Sequence, residues 1–139
     1  MQKIISSSEE QTEQLAMKLA AGLKGNEVIA LFGGLGAGKT AFTRGLARGL
    51  GVEDGVSSPT FALVHEYEGK YPIYHFDMYR IGSYEDLYST GFFDYLDNGI
   101  LVIEWSENIE SYLPTERITI TIRPLAETER EITLEGVEL

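Results

Sequence analysis

The sequence predicts one α/β domain, a mixed parallel and antiparallel central sheet flanked by helices, and three observations carry that prediction. The run Val28-Ile29-Ala30-Leu31-Phe32 is continuously apolar, and Ile100-Leu101-Val102-Ile103 repeats it. Unbroken apolar strands suit a sheet covered on both faces. Between them, Phe42, Leu46 and Leu50 recur at every fourth residue, the period of a helix. The tail alternates apolar and polar residues over 118–122 and again over 132–134, which predicts a C-terminal β-hairpin with one wet face.

Taken in order, residues 3–6 predict a short strand, and Ser8-Glu9-Glu10-Gln11 reads as a capping box that opens a helix. Leu15, Leu19 and Leu23 with Ala16 and Ala20 give that helix one apolar stripe, which Gly22 or Gly25 ends. The strand 28–32 leads through glycines 33–38 into a helix over 39–50. Gly45 and Gly49 each cost that helix about 0.8 to 1 kcal/mol relative to alanine, so close packing on a neighbour is expected there. Residues 61–67 and 71–77 are β-prone and aromatic, and Glu68-Gly69-Lys70 between them predicts an antiparallel hairpin. Ser83 opens a second capped helix, and the aromatic cluster Phe92, Phe93, Tyr95 and Leu96 precedes the strand 100–103.

The chain has 139 residues, 11 basic and 22 acidic, for a net charge of −11, and no cysteine. That length fits one domain over residues 1–139, and no linker or internal repeat divides it. Without cysteine there are no thiolate zinc sites, thiol catalysis or disulfides, which favours a reducing, cytoplasmic compartment. No apolar run approaches the roughly 20 residues of a membrane helix, and the N-terminal stretch lacks the apolar core of a signal peptide. So acidic a chain disfavours autonomous binding to a phosphate backbone, because Lys and Arg supply that affinity.

One motif carries chemistry. Gly33-Gly34-Leu35-Gly36-Ala37-Gly38-Lys39-Thr40 matches the phosphate-binding loop G-x-x-x-x-G-K-[ST] completely, after a buried strand and at the opening of an amphipathic helix. Phosphates require converging backbone N–H donors, and Gly33, Gly36 and Gly38 supply the conformational freedom that this demands. The helix N-terminus from Lys39 through Thr40 and Ala41 aims its dipole at the anion; Lys39 is expected at the β- and γ-phosphates and the Thr40 hydroxyl on Mg²⁺. By chance the fixed positions would arise in roughly one in a few hundred chains of this length.

Phosphoryl transfer also needs acids for the metal and the attacking water. Glu104 directly follows an apolar strand, the Walker B position, and Asp77 ends another. Strand C-termini are where ligands gather in α/β sheets. Each is equally describable as a solvated acid past a strand. Thr60, in the loop Ser57-Ser58-Pro59-Thr60, is a candidate γ-phosphate or metal sensor, although a turn hydroxyl beside proline reads the same way. His65 and His75 show no metal-ligand spacing and are assigned structural roles. The start of the first helix near Ser8 and Thr12 is a possible wall of the base pocket.

These motifs resemble the TsaE (YjeE) family, small bacterial ATPases of tRNA threonylcarbamoyladenosine (t6A) synthesis. Four blocks carry the resemblance, nearly end to end: Gly33 to Thr40, Ser-Pro-Thr-Phe at 58–61, His-Phe-Asp-Met-Tyr-Arg at 75–80, and Ile-Glu-Trp at 103–105. The resemblance implies a P-loop NTPase fold, with Lys39 and Thr40 as phosphate and Mg²⁺ residues and Thr60 as a switch threonine. It implies Asp77 as a catalytic or metal-linked aspartate, Glu104 as the Walker B acid and Trp105 beside the nucleotide. It further implies Mg²⁺-dependent ATP hydrolysis and association with the TsaB and TsaD proteins, which act on adenosine 37 of certain tRNAs, so that this chain meets tRNA only indirectly. Gly34 departs from the family, which commonly has an acid there, and this puts any partner contact of that acid in doubt. A small-molecule kinase is the first competing class, but the six arginines form no lid-like cluster. A GTPase switch would need N-K-x-D and D-x-x-G motifs that the sequence lacks. A nucleotide-sensing module with little turnover is separable only by kinetics.

Overall fold

The computed structural model describes residues 1–34, 38–52 and 64–139. Seven strands form one sheet: β1 (Gln2–Ser6), β2 (Val28–Phe32), β3 (Val64–Glu68), β4 (Pro72–Asp77), β5 (Ile100–Glu104), β6 (Ile118–Pro124) and β7 (Arg130–Glu135). Their order is β1-β7-β6-β2-β5-β4-β3. β6, β2, β5 and β4 pair in parallel, while β7 and β1 on one side and β3 on the other add antiparallel edges. The mixed sheet and the C-terminal hairpin are therefore as the pattern predicts. Residues 61–63 of the expected β3 lie outside the described residues.

The helices are α1 (Glu9–Ala20), α2 (Lys39–Gly49), α3 (Tyr84–Ser89) and α4 (Phe92–Tyr95), followed after β5 by a 3₁₀ segment over Ser106–Tyr112. Both predicted caps form. Ser8 Oγ accepts from Gln11 N–H at 3.1 Å while Gln11 Oε1 accepts from Ser7 N–H at 2.7 Å, and Ser83 Oγ accepts from Asp86 N–H at 3.1 Å. A cap of this kind contributes about 1 kcal/mol. α1 stops at Ala20, before Gly22, so Leu23 is buried from the following loop rather than from the helix.

Alternation along the strands sorts the core into two layers. Ile29, Leu31, Ile73, Ile100, Val102, Ile120, Ile122, Ile132 and Leu134 face α1 and α2. Ala30, Phe76, Leu101 and Ile103 face Leu87 of α3, Phe92 of α4, and Ile109. The apolar runs are thus covered on both faces, whereas on the other face of β6 Thr119 is half-buried and Thr121 exposed. The two glycines of α2 behave as expected: a Cβ at Gly45 would run into the backbone of Glu13, and one at Gly49 would stand 2.6 Å from Ala20 Cβ. α1 and α2 therefore touch almost backbone to backbone. Glu13 reinforces the contact, accepting from Arg44 Nη1 at 3.0 Å and from Arg48 Nη1 at 3.2 Å. Among the described residues no helix is long and apolar enough to cross a membrane.

Candidate functional site

The parallel strands β2, β4 and β5 all end on one edge of the sheet, and each delivers part of the site there. β2 runs into Gly33 and Gly34, β4 ends at Asp77 and β5 ends at Glu104. Asp77 and Glu104 are register partners, side by side on neighbouring strands. α2 opens at Gly38, whose φ of 102° is a left-handed conformation that glycine adopts without strain. Lys39 and Thr40 follow as the first helical residues, so the helix N-terminus points at the same edge.

A cleft of about 620 Å³ occupies that edge. Its lining includes Gly38, Lys39, Thr40, Ala41, Glu104 and Trp105, with Ser8 and Thr12 on the opposite wall. The start of α1 therefore lines the cleft. That corner is tied together by Ser6 Oγ, 2.7 Å from Thr12 Oγ1 and donating to the Ser8 carbonyl at 2.8 Å. Arg44 and the turn between β6 and β7, through Glu127, Thr128 and Arg130, complete the rim, a contribution that the sequence pattern left unread.

Lys39 is the most unusual group in the cleft. Its ammonium is buried, has no hydrogen-bond partner among the described residues, and sits 4.0 Å above the centre of the Trp105 ring. Desolvation lowers its pKa from the ordinary 10.5, opposed by the charges of Glu104, Glu107 and Asp77. A desolvated cation with no hydrogen-bonded anion is costly in an isolated protein and is suited to receiving one. Trp105 presents its face because its own backbone is left-handed, with φ 59° and ψ 41°. For a bulky residue that conformation costs about 1–3 kcal/mol, and such strain gathers at functional sites. Tyr79 backs the indole, with ring centroids 4.9 Å apart.

Glu104 is buried, and its Oε2 lies 2.6 Å from Nε2 of His75, which is fully buried. The spacing of His75 points to a structural role only, and the structure puts it directly on one of the two predicted acids. Asp77 is half-buried; its Oδ1 accepts from Tyr79 N–H at 2.9 Å, and it stands beside Glu104 rather than in the cleft lining. Glu107, another residue not anticipated, accepts from Gly33 N–H at 2.9 Å and so joins the 3₁₀ segment to the start of the glycine-rich loop. Gly34 is exposed, and a side chain there would meet open space. Of the predicted site residues, Leu35, Gly36, Ala37 and Thr60 lie outside the described residues.

The donor set fits a nucleotide with its metal. A buried ammonium unpartnered among the described residues, a helix N-terminus opened by glycine, a hydroxyl at Thr40 and a carboxylate at a neighbouring strand end converge on one cleft. A ligand bearing adjacent negative charges would satisfy the ammonium and the helix N-terminus, and a divalent cation on that ligand would satisfy the hydroxyl and the carboxylate.

Comparison with known proteins gives a consistent result. The family model described as threonylcarbamoyl adenosine biosynthesis protein TsaE matches residues 6–132. The chain is 44% identical over 130 residues to the tRNA threonylcarbamoyladenosine biosynthesis protein TsaE of Bacillus subtilis strain 168, covering 92% of this chain and 81% of that one. It is 40% identical over 133 residues to the protein of the same name from Treponema pallidum strain Nichols, covering 95% and 98%. The crystal structure of Bacillus subtilis YdiB superposes with a TM-score of 0.78 at 40% identity, covering 96% of this chain and 83% of that one.

Proposed function

The chain belongs to the TsaE family of threonylcarbamoyl adenosine biosynthesis proteins, and on that premise we propose that it is a Mg²⁺-dependent ATPase subunit of tRNA t6A synthesis that works by nucleotide-dependent association with TsaB and TsaD. The observation that carries the ATPase reading is the buried Lys39 ammonium, unpartnered among the described residues, at the N-terminus of α2 and beside Glu104. Lys39 would neutralise the β- and γ-phosphates, most strongly as charge redistributes in the transition state. Thr40 and Glu104 would hold the Mg²⁺, which when bound supplies charge neutralisation across the phosphate oxygens. Asp77, one strand over from Glu104, would orient or deprotonate the attacking water, and Thr60 would sense the γ-phosphate. Water adds to the γ-phosphorus in line as the bond to the bridging oxygen breaks, and ADP and phosphate leave.

The charge of the chain supports partner dependence. A net charge of −11 disfavours autonomous binding to tRNA, so its effect on the modified base would pass through proteins that hold the RNA. The reading is tested at Glu104. The Glu104→Gln variant should bind metal-free ATP within a few-fold of the wild-type affinity, followed by Trp105 fluorescence, while turnover with Mg²⁺ falls by about 10²-fold or more. Equal loss of binding and turnover would remove Glu104 from the catalytic role. Unimpaired ATP binding with no turnover in the wild type, partners included, would favour a nucleotide sensor.

A further inference from the structure

We propose that His75 is a positioning residue for Glu104, fixing through its Nε2–H the carboxylate that faces the bound nucleotide and metal; this rests on the ATPase reading of the cleft. The placement follows from strand register. On β4, Ile73, His75 and Asp77 share one face, and on β5 so do Ile100, Val102 and Glu104. His75 is the register partner of Val102, and Asp77 that of Glu104, so the imidazole reaches Glu104 along the diagonal. It is fully buried in the layer under α1 and α2, a place where an apolar side chain would pack without any polar cost.

The bond assigns the proton. An ionised carboxylate can only accept, so Nε2 is the donor in the 2.6 Å contact to Glu104 Oε2. Nδ1 is buried with no hydrogen-bond partner among the described residues. Among the described residues the one hydrogen bond of the ring is therefore that from Nε2 to Glu104. The contact occupies Oε2 and leaves Oε1 for what the cleft binds. Fixing a glutamate side chain costs rotamer freedom, and the bond to His75 meets that cost within the fold itself. Groups that orient a metal-facing ligand in this way typically govern about 10- to 100-fold in metal affinity or activity.

The test compares wild type with His75→Gln, whose amide N–H reaches where Nε2 stood, and with His75→Leu and His75→Asn, whose side chains offer no donor at that reach. Nucleotide affinity is measured by Trp105 fluorescence with and without Mg²⁺, turnover is measured in parallel, and ¹⁵N spectra of the wild-type imidazole report the tautomer. The expected result is that Leu and Asn keep metal-free ADP affinity, lose about 10-fold of the tightening by Mg²⁺ and lose about 10- to 100-fold in turnover. Gln should restore both, and the wild-type spectrum should show a proton on Nε2. Should the Leu variant fail to fold, Asn and the wild-type spectrum still decide. Retained Mg²⁺ coupling in Leu or Asn, a Gln variant as impaired as these two, or an Nε2 without a proton would each overturn the proposal. A wild type that tightens with Mg²⁺ but hydrolyses nothing would sink the ATPase reading alone, and the Mg²⁺ coupling and tautomer would still judge His75.

Discussion

Replacing Lys39 with methionine separates what the residue does for folding from what it does for nucleotide. In the structure the ammonium is buried without a hydrogen-bond partner among the described residues, stacked 4.0 Å from the Trp105 ring centre. Removing it relieves a penalty of about 1–3 kcal/mol. It also forfeits a cation–π contact of about 0.5–2 kcal/mol, plus attraction from Glu104, Glu107 and Asp77. These contributions nearly cancel, so Lys39→Met without nucleotide should melt close to wild type. With nucleotide the two proteins diverge. At a ligand concentration 100 times Kd, wild type gains about 2.7 kcal/mol. Losing charge-assisted bonds to phosphate, about 3 kcal/mol in all, weakens binding roughly 100-fold. At the same concentration the variant then gains only about 0.4 kcal/mol. For a domain of this size the difference is a nucleotide-induced rise in Tm of roughly 10 °C in wild type against 1–2 °C in the variant. Thermal unfolding followed by circular dichroism, with and without Mg²⁺-ATP, reads both quantities. A Lys39→Met protein whose melting temperature still rises as wild type does would refute the assignment of Lys39 to phosphate.

Two further outcomes follow from named features. Gly45→Ala gains about 0.8–1 kcal/mol of helix propensity. Its Cβ also strikes the Glu13 backbone and stands 2.8 Å from Ala16 Cβ, an overpacking cost of about 1–3 kcal/mol or more. Urea unfolding should show net destabilisation, and a more stable variant would mean that α1 and α2 are not in backbone contact. The depressed pKa of Lys39 has a definite sign: between its folded value and 10.5 the unfolded chain binds more protons, so the cost of burying the ammonium, fully present below the folded pKa, is relieved as pH rises through this window. Phosphate draws the pKa back up, so ATP binding in this alkaline window should take up protons. Calorimetry in buffers of different ionisation enthalpy should detect the uptake in wild type and not in Lys39→Met; equal signals would place the titrating group elsewhere.

The parts of the site that were legible in the sequence are those whose chemistry is local. The glycine-rich motif is contiguous, and its order of strand, glycines and helix follows from apolar periodicity, so the cleft positions of Lys39 and Thr40 follow as well. Asp77 and Glu104 were legible because each ends a strand on the edge of the sheet that carries the cleft. His75 was not, although alternation puts it on the same face as Asp77. Its partner lies 29 residues away, and only the register of β4 against β5 brings Nε2 to Glu104. The same holds for Glu107, 74 residues from the Gly33 N–H that it accepts. The left-handed Trp105 and the 3₁₀ segment after it carry no periodic signal at all. Nor did the turn between β6 and β7 announce itself as cleft wall, since its place depends on the C-terminal hairpin lying beside β2. Among the glycines, Gly45 and Gly49 were readable because a helix tolerates them only for a reason, and α1 is that reason.

The most direct test of the account is Mg²⁺-dependent ATP hydrolysis by the purified protein, alone and with TsaB and TsaD, with Lys39→Met as the blank. The account predicts slow turnover alone, stimulation by the two partners together, and loss of the stimulated rate in the blank. A wild-type mixture that hydrolyses ATP no faster than the blank would contradict it.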